Sequence, residues 1–344
     1  MTTMRDVARV AGVSAKTVSR VFNDDPHVTP ETRERVQWAM RRLDYVPNLL
    51  ARSFRAGTDA AIGLAFPDIG DPFFAAMASS IEESLARAHM AVVVTSLGYD
   101  PAREPAALET LLRRQISGLI VASIGPNQAY LQTWLQRTPM VFVDRAPRGL
   151  AAVSVVEDDF GGARQAVEHL ARHGHRRIAL LGGPAYAGTI QRRMDGYSAA
   201  VSELGLDSGP ELLCTEPQSS QGSVAEFVNL LASEHPPTAA FSMTIIATMA
   251  LVRALQQADR TDLAVVGFGD VPMAEALSPA ITVIDQNPAE LGRVAADRLT
   301  ALMLAASAGP SPTGAPRAKV RRRTVLPVQL IARGSGELPP PSST

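Results

Sequence analysis

Two periodicities divide this chain. Up to about residue 45 the apolar positions recur at helical spacing, whereas from Ala61 onward short β-branched runs alternate with helical patterns. In the first part, Val7, Ala8 and Ala11 share one face of a helix that opens at Thr3, with Asp6 at the capping-box position. Gly12 ends it. Ser14 caps a second helix that turns Val18, Val21 and Phe22 inward and Ala15, Lys16, Ser19 and Arg20 outward. Thr29 and Pro30 open a third, in which Val36, Ala39, Met40 and Leu43 repeat among Arg33, Glu34, Arg35, Arg41 and Arg42. The pattern predicts a small three-helix head.

Beyond it, strands are predicted at 62–66, 91–96, 118–123, 140–144 and 153–157, then at 177–182, 211–215, 238–242, 263–268, 281–285 and 324–331. Most are continuous apolar runs separated by helical stretches, the pattern of parallel sheets covered on both faces. The number of strands favours two doubly wound subdomains over one sheet. Ala306–Ala318 has the composition of a flexible loop, and Leu338–Thr344 that of a disordered tail.

Composition adds one contrast. The net charge of -1 hides a basic head: residues 1–57 carry 10 Lys and Arg against 6 Asp and Glu, and the remainder carries 23 against 28. A basic end on an acidic body points to nucleic acid at that end alone. The single cysteine, Cys214, excludes an internal disulfide framework and suits a reducing cytoplasm. The N-terminus lacks the apolar core of a signal peptide, and the longest apolar run, 239–252, is shorter than the ~20 residues that span a bilayer.

A helix, a short turn containing glycine and a second capped helix with a polar outer face make a helix-turn-helix, or equally a helical lid with a solvated face. As a DNA reader, its second helix would bring Lys16 and Arg20 to guanine edges, with Ser14, Thr17 and Ser19 in reach of phosphates. The wording of the segment is more specific than the pattern. MRDVARVAGVSAKTVSRVFN (4–23), VTPETRERVQWAMRRLDYVPN (28–48) and LLARSFRAGT (49–58) closely resemble the head of the lactose and galactose repressor family of bacterial transcription regulators.

Landmarks farther along extend that resemblance: Asp71-Pro72-Phe73-Phe74, Val143-Asp144-Arg145, HGHRRIA (173–179), Arg193 with Gly196-Tyr197, VVGF (265–268) and 279–286. It implies an α/β fold in four parts: a helix-turn-helix domain (1–46), a hinge helix and linker (47–59), a bilobed effector-binding core like periplasmic binding proteins (60–337) and a disordered tail (338–344). Lobe 1 would hold about 60–158 and 287–306, and lobe 2 about 159–286 and 323–337. The resemblance also implies DNA contacts from Ser14, Ala15, Lys16, Thr17, Ser19, Arg20, Asn23, Thr29, Tyr45, Asn48, Leu50, Ala51 and Phe54. Phe54 stands where the family wedges a leucine into the minor groove, and a phenyl ring can also unstack a base step. Alone, a hinge helix of 48–55 is shorter than the ~12–15 residues that make an isolated helix even marginal.

For the effector, the resemblance implies a cleft of Phe73, Phe74, Asp144, Arg145, Arg193, Thr244, Asp270 and Gln286. Two departures bear on the ligand. The family's Asn-Asp reads Met243-Thr244, and its Gly-Phe-Asp-Asp reads Gly267-Phe268-Gly269-Asp270, so a family carboxylate is absent at each of these two places and the effector need not be a sugar of the ordinary kind.

Enzyme readings fare worse. Gly267-Phe268-Gly269 lacks the third glycine of a dinucleotide fingerprint, no phosphate-binding loop or G-x-S-x-G elbow occurs, and His169 and His173 have no H-E-x-x-H around them. The expectation is therefore a cytoplasmic homodimeric repressor, without cofactor or metal, that binds a palindromic DNA operator under control of a small effector such as a sugar. The alternative is a sensor of the same core fold that acts through a protein partner.

Overall fold

In the computed structural model, which describes residues 4–22, 25, 27–43, 61–114, 116–183, 188–215, 220–307 and 322–341, the chain divides into two units, Met1–Asp59 and Ala60–Thr344. The first is built on α1 (Met4–Ala11), α2 (Ala15–Phe22) and α3 (Pro30–Arg42). Their shared core is Val7, Ala8, Ala11, Val18, Val21, Val36 and Ala39. Gly12 turns the chain between α1 and α2 at φ +65°, and a Cβ there would meet the Arg35 guanidinium at 2.9 Å. That guanidinium donates to the Ala11 carbonyl at 2.7 Å, so α3 satisfies an acceptor that the end of α1 leaves open.

The second unit alternates strands and helices. Its first lobe is formed by β1 (Ala61–Phe66), α4 (Pro72–Ala86), β2 (Ala91–Ser96), α5 (Glu104–Leu112), β3 (Gly118–Val121), α6 (Gln132–Leu135), β4 (Met140–Val143) and β5 (Val153–Glu157). The second follows with α7 (Asp159–Arg172), β6 (Ile178–Leu181), α8 (Gly188–Glu203), β7 (Leu213–Cys214), α9 (Ser220–Leu231), β8 (Ala239–Ser242), α10 (Ile245–Gln257), β9 (Ala264–Phe268) and β10 (Thr282–Asp285). The chain then returns through α11 (Pro288–Ser307) and β11 (Arg323–Leu326), and crosses again to β12 (Gln329–Ile331). Two six-stranded sheets result, ordered β11-β5-β4-β3-β1-β2 and β12-β10-β9-β8-β6-β7. Among the described residues every strand pairing is parallel except that of β12 with β10. Strands buried on both faces explain the continuous apolar runs.

Three expectations are corrected. The run 324–331 is two strands on two sheets: β11 pairs with β5, which puts 323–326 in the first lobe, and the chain crosses at Pro327 and Val328. Proline has no amide for a ladder, so one strand becomes two. Residues 338–341 are ordered, because the Leu338 carbonyl accepts from His175 Nε2 at 2.8 Å and its side chain packs on the second lobe's core. Ala306 belongs to α11, and 308–318 of the expected loop lie outside the described residues. Among the described residues no helix is long and apolar enough to cross a membrane.

Candidate DNA-reading helix and effector cleft

On α2, Ser14 Oγ accepts the Thr17 amide at 3.0 Å and fixes the helix start. Val18 and Val21 sink into the core, which leaves Ala15, Lys16 and Arg20 exposed and Thr17 half-buried. Ser19 lies on the same helix, with its side chain outside the described residues, as are Asn23, Tyr45, Asn48, Leu50, Ala51 and Phe54. Thr29 caps α3: its hydroxyl accepts the Thr32 amide at 3.4 Å and is exposed.

One residue that the sequence reading passed over stands beside Arg20. Asp25 Oδ2 accepts Arg20 Nε at 2.8 Å, and Oδ1 accepts both the His27 amide at 2.9 Å and His27 Nδ1. The Arg20 guanidinium first, then the His27 amide, hold this carboxyl far below the ordinary carboxylate range.

In the second unit the expected cleft residues fall into two groups. The first is a buried charge network at the carboxyl ends of β4 and β5. Arg193, on α8, donates from Nε to Asp159 at 2.8 Å, from Nη1 to the Met243 carbonyl at 2.6 Å and from Nη2 to Glu157 at 3.2 Å. Its guanidinium also lies 3.8 Å from the Phe268 ring centre. Gln286 donates to the same Glu157 oxygen at 2.8 Å, and Arg192 takes the other Asp159 oxygen at 2.7 Å. Asp144, buried at φ +64°, is paired with its neighbour Arg145 at 2.7 Å.

Glu157 and Asp159 are therefore functional candidates that sequence reasoning missed: one ends β5 and the other opens α7, and acidic residues at a strand-to-helix junction read equally well as part of a helix start. Glu157 Oε2 is the buried side-chain atom without a partner among the described residues. Burial, then the charges of Asp144 and Asp159, push the Glu157 carboxyl well above its usual value, and burial raises Asp159 too.

The second group lines an adjoining cavity of about 480 Å³. Phe73, Asp270 and Gln286 reach it, with Ile245, Val271 and Arg333. Asp270 is gripped there by the Arg333 fork at 2.6 and 2.8 Å. Gly269, at φ +93°, brings the chain so close that a Cβ would meet Ile245 at 2.8 Å and Gln286 Oε1 at 2.9 Å. A side chain is thus excluded where the family has its first aspartate. Phe74 instead stacks on Phe66 at 5.4 Å within the core. Thr244 caps α10, accepting the Ala247 amide at 3.1 Å.

Other candidates resolve into packing. His169 faces Glu337, which also accepts from Thr282 at 2.9 Å, and burial lowers the His169 pKa despite its place near a helix end. Among the described residues no three His, Cys, Asp or Glu side chains are placed to hold a metal. Cys214 is buried, which pushes its thiol up to about 12.

Known proteins match this architecture along nearly all of the chain. Residues 3–48 match the bacterial regulatory proteins of the lacI family, and 167–336 a periplasmic binding protein-like domain. The ribose operon repressor of Haemophilus influenzae is 31% identical over 87% of this chain and 91% of its own length. The transcriptional regulator GalS of Salmonella typhimurium is 32% identical over 90% and 91%. The lac repressor dimer, solved bound to operator and an anti-inducer, superposes with a TM-score of 0.77 at 26% identity, covering 97% of this chain and 99% of that one. A head with an exposed, capped second helix and a bilobed α/β core thus carry the same likeness as the whole sequence, and the chain belongs to the lacI family of bacterial regulatory proteins, as a transcriptional regulator and not an enzyme.

Proposed function

We propose that the chain is a cytoplasmic repressor that binds a palindromic operator as a homodimer and releases or grips it according to a small effector in the cleft of the core. The observation that carries this reading is the outer face of α2. Lys16 and Arg20 are exposed on a helix whose opposite face is locked into the head's core, the arrangement that a major-groove reader requires. Ser14, Thr17, Ser19 and Thr29 serve phosphates, and Asn23, Tyr45, Asn48, Leu50, Ala51 and Phe54 supply the remaining contacts up to the hinge. The operator named for the lac repressor dimer and the operon control named for the ribose repressors support the same role here.

Effector binding rests on Arg193, Asp144, Arg145 and Gln286 at the buried network and on Phe73 and Asp270 at the cavity beside it, with Phe74 backing the Phe73 ring edge-on at 5.1 Å and Thr244 fixing the start of α10. The domains divide at 46 and 59, with a hinge segment between them. Ligand-driven movement of the lobes alters how the paired hinges meet DNA. Such coupling typically amounts to ~1–3 kcal/mol and acts in both directions.

The test is operator binding across a salt series. Phosphate contacts release counterions, so log affinity should fall with log salt at a slope of several units. A slope near zero would instead favour the sensor that works through a protein partner. Because the hinge is too short to be a helix alone, Ala51→Pro should abolish specific operator binding and leave effector-induced thermal stabilisation of the core intact. Retained specificity in that variant would remove the hinge from the mechanism.

A further inference from the structure

Arg20 is not a free cation on the outer face of α2. From the way it is held we infer that Asp25 is a positioning residue for operator reading, orienting the Arg20 guanidinium so that its two terminal nitrogens are presented together to one guanine. The inference rests on the reading of Arg20 as a base contact.

Asp25 is itself fixed at several points. Its amide donates to the Arg20 carbonyl at 3.1 Å, and its own carbonyl accepts Arg33 Nη2 at 3.0 Å. One carboxylate oxygen is committed to the His27 amide and ring, which leaves Oδ2 as a fixed acceptor aimed at Arg20 Nε, 2.8 Å away. The Asp25 side chain is only 25% exposed, whereas Arg20 is 46% exposed. A long, solvent-facing side chain is thus tethered by its inner nitrogen to a rigid post. Nη1 and Nη2 of Arg20 take no partner among the described residues.

The geometry matters because a guanidinium is a rigid planar fork of five donors. Holding Nε leaves the Nη pair to span guanine O6 and N7, the bidentate contact that distinguishes guanine in the major groove. A tether also removes rotamer freedom that an arginine would otherwise lose on binding. Lys16, with no such post among the described residues, offers a single point of charge. Pairing with a carboxylate has a second effect: near DNA the negative charge of Asp25 weakens contact with phosphates of any sequence. Asp25 therefore raises the ratio of specific to non-specific binding rather than affinity as such.

The full chain is titrated by fluorescence anisotropy against an operator that it selects from random palindromic DNA, and against that operator with each guanine pair replaced in turn. One replacement should weaken the wild type about ten- to a hundred-fold. Arg20→Ala should erase that preference. Asp25→Ala should cut it to within a few-fold while non-specific binding stays equal or tightens, and should change nothing further in the Arg20→Ala background. Asp25→Asn keeps the size of the side chain and carries the same test if Asp25→Ala fails to fold by circular dichroism.

An Asp25 variant that keeps wild-type discrimination overturns the inference, as does one whose loss is equal with and without Arg20. If Arg20→Ala leaves every base preference intact, or no duplex is selected, the reading of Arg20 or of the whole head fails first, and the inference falls with it.

Discussion

Arg193 is 5% exposed and commits each of its three guanidinium nitrogens inside the chain, to Asp159, Glu157 and the Met243 carbonyl. An effector that meets this arginine meets a group whose partners already surround it. Arg193→Ala would leave two buried carboxylates with less compensation, which typically costs about 3–5 kcal/mol. Urea unfolding of the full chain should register a loss of that size, and a change below about 1 kcal/mol would show that the network contributes little. Glu157 behaves differently. Its carboxyl is raised in the folded state, so the folded chain binds a proton more readily than the unfolded one, and stability falls as pH rises above the ordinary value of 4.5. Glu157→Gln, which cannot ionise, should flatten that fall; an unchanged slope of melting midpoint against pH between 5 and 8 would contradict the assignment.

Among elements, the turn and cap that set α2 are the most exposed to single changes. Gly12→Ala forces a Cβ onto a left-handed backbone and against Arg35, and should destabilise the head by about 1 kcal/mol or more. Ser14→Ala removes the cap and should cost about 0.5–2 kcal/mol. Amide exchange of α2 in the full chain reads both, as faster exchange confined to the head. These two features were plain in the sequence because both are local: a glycine between two periodic segments and a serine before an apolar face. The doubly wound sheets were legible for the same reason, as runs of apolar strand. The switch of 323–331 between sheets was not, since tertiary pairing alone decides which sheet each half joins. The proline-rich end reads as disordered by composition, yet hydrogen bonding to His175 and packing of Leu338 hold its first part. Glu157 was missed for a related reason, because its partners Arg193 and Gln286 lie far along the chain and leave no local trace; the partners of Asp25 are local, but they meet it across an irregular turn that no periodicity describes.

At the scale of the molecule, the two lobes share a chain that passes between them after β5, after β10 and after β11. Three connections permit a change of tilt between the lobes while forbidding their separation. The last passage has a consequence for synthesis. β12 completes the edge of the second sheet, and Ser335 and Glu337 behind it bind Thr282 and Val265. A chain emerging from the ribosome can therefore finish its DNA-reading head hundreds of residues before its sensor is closed. A stop after Leu326 should yield a protein whose head still binds DNA non-specifically while its second lobe is cut rapidly by protease; a protease-resistant second lobe would show that the final segment is dispensable. Translation order thus makes the binding half the early product and control the late one.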